Sequence, residues 1–336
     1  MDAISAHLDR GWDLLQKNDF RGATVSAQEV LKLDEQSPEA YTLLGAIAAA
    51  QGQAEEALEH YGRAMELDPE YIDPLLYAAE TYMWPLGEYE EALELCQQAL
   101  DMAEEEDEYL DALLLKAEVE LGLGDLKAAR ATLSELPPVD FPEPVYHLRA
   151  ARSWLDLGEI GDAEAHFRKA LAGNSELAEA VHGLGLCAEE RGDRAAMVEH
   201  FLKVYEMDQQ EDRAPWGVDP ERFEDICNQA VRELPERIQK LLQNVPIVAA
   251  DYPSREIVAE GSDPRMLGFF AGVPYPDKSN LGGPPQLDCI FLFQRNIERV
   301  VRSREQLELE VRKTILHEAG HFFGLSEEEL EEMGLS

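Results

Sequence analysis

Near the end of the chain, His317, Glu318 and His321 stand in the spacing H-E-x-x-H within Leu316-His-Glu-Ala-Gly-His-Phe-Phe-Gly-Leu-Ser-Glu327. On a helix, residues four apart are separated by about 40° of rotation and one turn of rise, so both imidazoles leave one face and can meet one metal ion. Glu318 is rotated by about 100° from His317, which suits it to a water on the metal's open side rather than to ligation. Zinc would lower the pKa of that water to about 7, and a carboxylate could then take its proton during attack on a carbonyl.

The spacing matters only if the segment is helical. Glu305 to Phe322 reads as one amphipathic helix, with Leu307, Val311, Ile315, Leu316 and Ala319 recurring at helical intervals. Gly324 then predicts a stop three residues after His321, because glycine takes positive φ at little cost. The turn could return a later side chain to the metal, and a tetrahedral catalytic site needs a third protein ligand. The other histidines, His7, His60, His147, His166, His182 and His200, all lie in the first two thirds. A carboxylate is therefore expected: Glu327 first, with Glu328 and Glu331 as close rivals and Cys289 as a weaker choice.

The runs Met266-Leu-Gly-Phe-Phe-Ala-Gly-Val-Pro-Tyr275, Ile290-Phe-Leu-Phe-Gln-Arg295 and Val311 to Leu325 resemble the small bacterial zincin-like metallopeptidases. The resemblance spans about Asp219 to Ser336. It implies a metallopeptidase fold more firmly than a substrate, with Zn2+ held by His317, His321 and Glu327 and with Glu318 as the catalytic acid–base. The family usually has Asp at the last motif position, where this chain has the longer Glu327. Met333 lies too close to the end to form the methionine turn of larger metzincins.

The chain has 336 residues and a formal charge of −40. The 22 acidic and 13 basic residues from Trp216 onward leave that part at −9, so the preceding part carries −31. Such a surface repels nucleic acid and anionic membranes. Cys96, Cys187, Cys227 and Cys289 are scattered without a C-x-x-C, which suits a reducing, cytoplasmic setting. The N-terminus shows no secretory pattern, and no apolar run approaches the roughly 20 residues that span a bilayer.

Small residues in the first two thirds recur with a period near 34. Gly45, Ala57, Tyr61, Ala64 and Pro69 define the pattern, which returns at Gly11/Ala23/Ala27, Ala92/Cys96/Ala99, Ala117/Ala129/Leu133, Ala151/Ala163/Phe167 and Gly185/Met197/Phe201. Glycine-centred turns are expected at Gly52, Gly87, Gly124, Gly158 and Gly192. This resembles six tetratricopeptide repeats over about Ser5 to Asp208. It implies a curved solenoid whose groove binds a protein or peptide. Thr42, Ala46, His182 and Leu186 stand where carboxylate-clamping repeats carry Lys and Asn, so no such clamp is expected. Arg149 and Arg152 could meet an acidic ligand, although ordinary surface arginines are the simpler reading. The repeat-region histidines read as separate surface or packing residues.

Gln209 to Val218 breaks the period and marks a junction. Asp219-Pro220 caps a helix expected to run to about Gln243, and Val245 to Ala250 reads as a strand. Residues 253–288 read as a long Gly/Pro-rich loop, and Leu287 to Gln294 as a strand that could present a free edge beside the metal helix. Tyr252 and Tyr275 are possible oxyanion donors.

The expected architecture is an all-α repeat solenoid over 1–212, followed by a small α+β zincin-like domain over 213–336. The expected activity is zinc-dependent peptide-bond hydrolysis, with the repeats recruiting or positioning a protein. The alternative is a non-catalytic interaction scaffold whose metal site only supports the fold; Glu318 argues against it, since a structural site has no need of that carboxylate.

Overall fold

The computed structural model describes the chain except residues 1–2, 139–140, 142, 215, 235, 244, 273–287 and 327–336. It divides into two compact units, Met1–Arg191 and Gly192–Ser336.

The first unit is a helical array. Its helices are α1 (Ala3–Gln16), α2 (Phe20–Leu33), α3 (Pro38–Ala50), α4 (Ala54–Leu67), α5 (Asp73–Thr81), α6 (Tyr89–Met102), α7 (Glu106–Gly122), α8 (Leu126–Leu133), α9 (Pro144–Asp156), α10 (Ile160–Gly173) and α11 (Ala178–Glu190). Consecutive helices from α1 to α10 pack against one another in pairs, and neighbouring pairs are in contact. The expected small residues are the reason they approach so closely. Ala23, Ala27, Ala57, Ala64, Ala92, Ala99, Ala129, Ala163 and Ala170 are wholly buried. At Gly45 a methyl group would lie 2.4 Å from the Tyr61 ring, so the glycine makes the seat for that tyrosine.

Gly52, Gly87, Gly124, Gly158 and Gly192 all take positive φ, as the turn spacing predicts. The first helix pair turns instead on Asn18, at φ 57°, a role asparagine tolerates better than other side chains. The third pair departs from the pattern. A π-type turn at Tyr82–Leu86 follows α5, with Trp84 out of helical geometry ahead of Pro85.

Two repeat-region readings need correction. Arg149 is not a surface arginine: it donates to Asp111 at 2.8 Å and Glu118 at 3.0 Å, tying α9 to α7. Nor are the histidines all separate. The Nδ1 atoms of His147 and His166 lie 3.1 Å apart, under the ring of Phe141. Burial holds His166 below the ordinary imidazole pKa, toward its neutral form.

The second unit contains α12 (Arg194–Asp208), α13 (Pro220–Glu233), α14 (Glu236–Leu242), β1 (Ile247–Ala250), α15 (Arg255–Ala259), β2 (Gly268–Ala271), β3 (Cys289–Phe293), α16 (Gln294–Val300) and α17 (Arg304–Phe323). Repeat period alone places the junction at 212/213; packing groups α12 with the C-terminal elements. α12 lies against α15, and its last residue, Asp208, accepts from Arg265 at 2.8 and 2.9 Å and from Arg299 at 2.5 Å.

The expected single helix from Pro220 to Gln243 is broken into α13 and α14. Leu234 is extended, at φ −64° and ψ 155°, because a residue ahead of proline avoids the α region. Asp219 caps α13 by accepting from the Arg222 N–H at 2.8 Å.

The sheet has the order β1–β3–β2. β1 runs parallel to β3, and β2 antiparallel to it. The strand around Cys289 to Phe293 is therefore central and presents no edge. Among the described residues β1 and β2 are the outer strands, and β2, within the stretch read as loop, is the outer strand packed on α17. The core between sheet and helices includes Phe223, Ile226, Ile290, Leu292, Ile297, Leu307, Val311, Ile315, Ala319 and Phe322. No helix among the described residues is long and apolar enough to cross a membrane.

Candidate metallopeptidase site

Helix α17 carries the motif. Ser303 caps its start by accepting from the Gln306 N–H, and Gly324 ends it in the left-handed region at φ 83°. Leu307, Val311, Ile315, Ala319 and Phe322 bury one face, which leaves His317 and His321 on a half-exposed flank. Their rings meet edge to face at 4.7 Å, and their Nε2 atoms are 3.0 Å apart. Two imidazoles on a tetrahedral metal at its usual bond lengths have nitrogens about 3.3 Å apart. The pair is thus within a few tenths of an ångström of the separation that one metal ion requires, and neutral imidazole nitrogens are suitable donors.

Glu318 is buried, on the side of α17 that faces β2. The two histidines and Glu318 line a cleft of about 520 Å³, with Met266–Phe270 as one wall and Glu310, Lys313 and Thr314 continuing the α17 wall. A volume of this order accommodates several peptide residues.

Strand β2 contributes main-chain groups. The Phe293 N–H donates to the Leu267 carbonyl at 2.9 Å, and Gly268 pairs with Leu292 across the strands. In an antiparallel ladder, alternate residues turn their polar groups to opposite sides. Leu267, Phe269 and Ala271 therefore bond toward β3, while Gly268 and Phe270 point their N–H and C=O groups away from it. No strand lies on that side among the described residues. Two anchors hold β2 in place, one on the motif helix and one from α16 onto the residues that lead into the strand. Phe270 packs on Phe322 at 5.6 Å, and the Asn296 side-chain amide donates to the carbonyls of Pro264 at 2.8 Å and Met266 at 2.7 Å.

Glu327, Glu328 and Glu331 lie outside the described residues, as does Tyr275. Cys289 sits on the central strand and does not line the cleft; burial raises its thiol pKa, disfavouring the thiolate a metal needs. Tyr252 is no oxyanion donor: its hydroxyl donates to the Asp208 carbonyl at 2.7 Å, away from the cleft. Sequence reasoning missed β2 and Asn296. The one available signal was the short apolar run Met266 to Ala271 between Pro264 and Gly272.

Residues 242–335 match a family model described as zincin-like metallopeptidase. Three tetratricopeptide repeat models match 38–71, 86–152 and 148–212. The chain thus joins a tetratricopeptide repeat region to a zincin-like domain. No curated protein matches it. Among solved structures it is similar to PilW, described as a widely conserved type IV pilus biogenesis factor (19% identity over 63% of this chain and 96% of that one, TM-score 0.51). It is also similar to pilF of Pseudomonas aeruginosa (18% identity over 62% and 93%, TM-score 0.50). At these identities the likeness establishes a repeat fold alone.

Proposed function

We propose that the C-terminal domain is a zinc-dependent peptidase and that the repeat region binds a protein that is its substrate or brings the substrate to it. One observation carries the reading: two imidazole nitrogens 3.0 Å apart share a cleft with a buried carboxylate and with β2, an outer strand among the described residues. Zinc held by His317, His321 and Glu327, the last with Glu328 and Glu331 as rivals, would polarise the scissile carbonyl and acidify a water molecule. Glu318 takes the proton of the attacking water and returns it to the nitrogen of the leaving amine. The outward main-chain groups of Gly268 and Phe270 hold an extended peptide as an added strand, so binding depends little on its side chains. The scattered cysteines favour a cytosolic setting.

Metal dependence is the first consequence. Full-length protein loaded with one equivalent of zinc should cleave members of a random peptide library, read by mass spectrometry. Chelation should abolish cleavage and added zinc restore it. Zinc-loaded protein that cuts no peptide in a broad library would favour the scaffold alternative.

A further inference from the structure

We infer that Gly268 is a positioning residue for Glu318, an inference that rests on the peptidase reading above. A methyl group placed on Gly268 would lie 2.8 Å from Glu318 Cγ, 2.9 Å from Glu318 Oε1 and 2.8 Å from Thr314 Cγ2. Carbon atoms in ordinary contact stay about 3.5–4.0 Å apart, so none of these neighbours tolerates it in place. The backbone of Gly268 does not itself require glycine, because its φ lies outside the positive region. The missing side chain therefore serves the contact.

None of the three partners yields freely. The Thr314 hydroxyl donates to the Glu310 carbonyl at 2.9 Å, which fixes its rotamer. The strand is held at its entry by Asn296 and by the bond between Phe293 and Leu267. Glu318 has freely rotating bonds but is buried between helix and strand. An added methyl group displaces the Glu318 carboxylate first. The bare Cα of residue 268 thus acts as a backstop that keeps the proton-transferring carboxylate in line, on the same residue whose outward N–H and C=O face the peptide.

The test is Gly268→Ala in full-length, zinc-loaded protein, with Gly268→Ala/Thr314→Ser as a second variant that removes only the threonine methyl. The expected result is kcat at least about tenfold lower with KM changed less than about threefold, zinc content unchanged, and no recovery in the double variant. A rise in KM with kcat intact would mean that the strand moves rather than the carboxylate. Recovery on Thr314→Ser would assign the clash to Thr314. Either overturns the inference.

A second readout needs no activity. With Thr314 replaced by Ser throughout, so that its methyl is absent, the melting temperature should fall on Gly268→Ala when Glu318 is present and change far less when Glu318 is replaced by Ala, where Cγ and Oε1 are gone. Equal falls in both backgrounds overturn the contact. Coupled melting in a protein that cuts no peptide leaves the contact intact and removes the peptidase reading instead.

Discussion

Replacing Glu318 by Gln is expected to lower peptide hydrolysis by about 10²–10⁴-fold, the range associated with a positioned general acid–base. Glutamine keeps the length and shape of the side chain between α17 and β2 but exchanges one acceptor oxygen for an amide NH2 and cannot accept the water's proton. Zinc stoichiometry should not change, because the motif assigns ligation to His317 and His321. The loss should fall in kcat rather than KM, since the proposed mode of binding places the peptide on β2 and not on Glu318. Steady-state kinetics together with metal analysis of the same preparations separate these effects. Loss of zinc from the variant would mean that Glu318 is a ligand or a support for the ligands, and the division of roles along the helix would have to be redrawn.

The second large effect concerns stability. Asp208 is 1% exposed, and both its carboxylate oxygens accept from the guanidinium groups of Arg265 and Arg299. Removing one partner of such a buried cluster strands the others, so Asp208→Asn should destabilise the C-terminal unit by about 3–5 kcal/mol. Arg265 precedes β2 in the chain and Arg299 lies in the last turn of α16, so unfolding of this unit should report the loss by near-ultraviolet circular dichroism. Burial alone would raise the Asp208 pKa, but the hydrogen bonds from the two arginines outweigh it and hold it below the ordinary value. A depressed folded-state pKa gives stability that is fully present above about pH 4 and is lost as pH falls from there through the lower folded value. The gap between wild type and Asp208→Asn should therefore be constant above about pH 5 and narrow in more acid solution. A gap that stays constant down to about pH 2 would show that the cluster does not depend on the charge of Asp208.

What the sequence displayed was whatever depends on local spacing. Helix α17, the stop at Gly324 and the five glycine turns are each written into residues within a few positions of one another. Asn18 was missed because it fills the same turn with a different side chain. The sheet was less legible because strand order is a long-range property. Cys289 to Phe293 has the composition of a strand wherever it sits, and nothing nearby tells a central position from an edge. β2 is only four residues long, starts on a glycine and lies among prolines, so its local signal is that of a loop. Arg149 was misjudged because its partners, Asp111 and Glu118, precede it by more than thirty residues on another helix. The candidate site shows the same division. The spacing of His317, Glu318 and His321 implies their geometry, whereas the wall facing Glu318 depends on Asn296 reaching Pro264 and Met266.

At the centre of the proposed chemistry, His317 and His321 share one metal ion with a position left for solvent. X-ray absorption at the zinc edge of the stoichiometrically loaded protein tests this directly. The predicted spectrum has two imidazole nitrogens at about 2.0–2.1 Å, completed by light oxygen donors, and loses both imidazole contributions when His317 and His321 are replaced by alanine. Sulfur scattering at about 2.3 Å, or a first shell unchanged by those replacements, would contradict it.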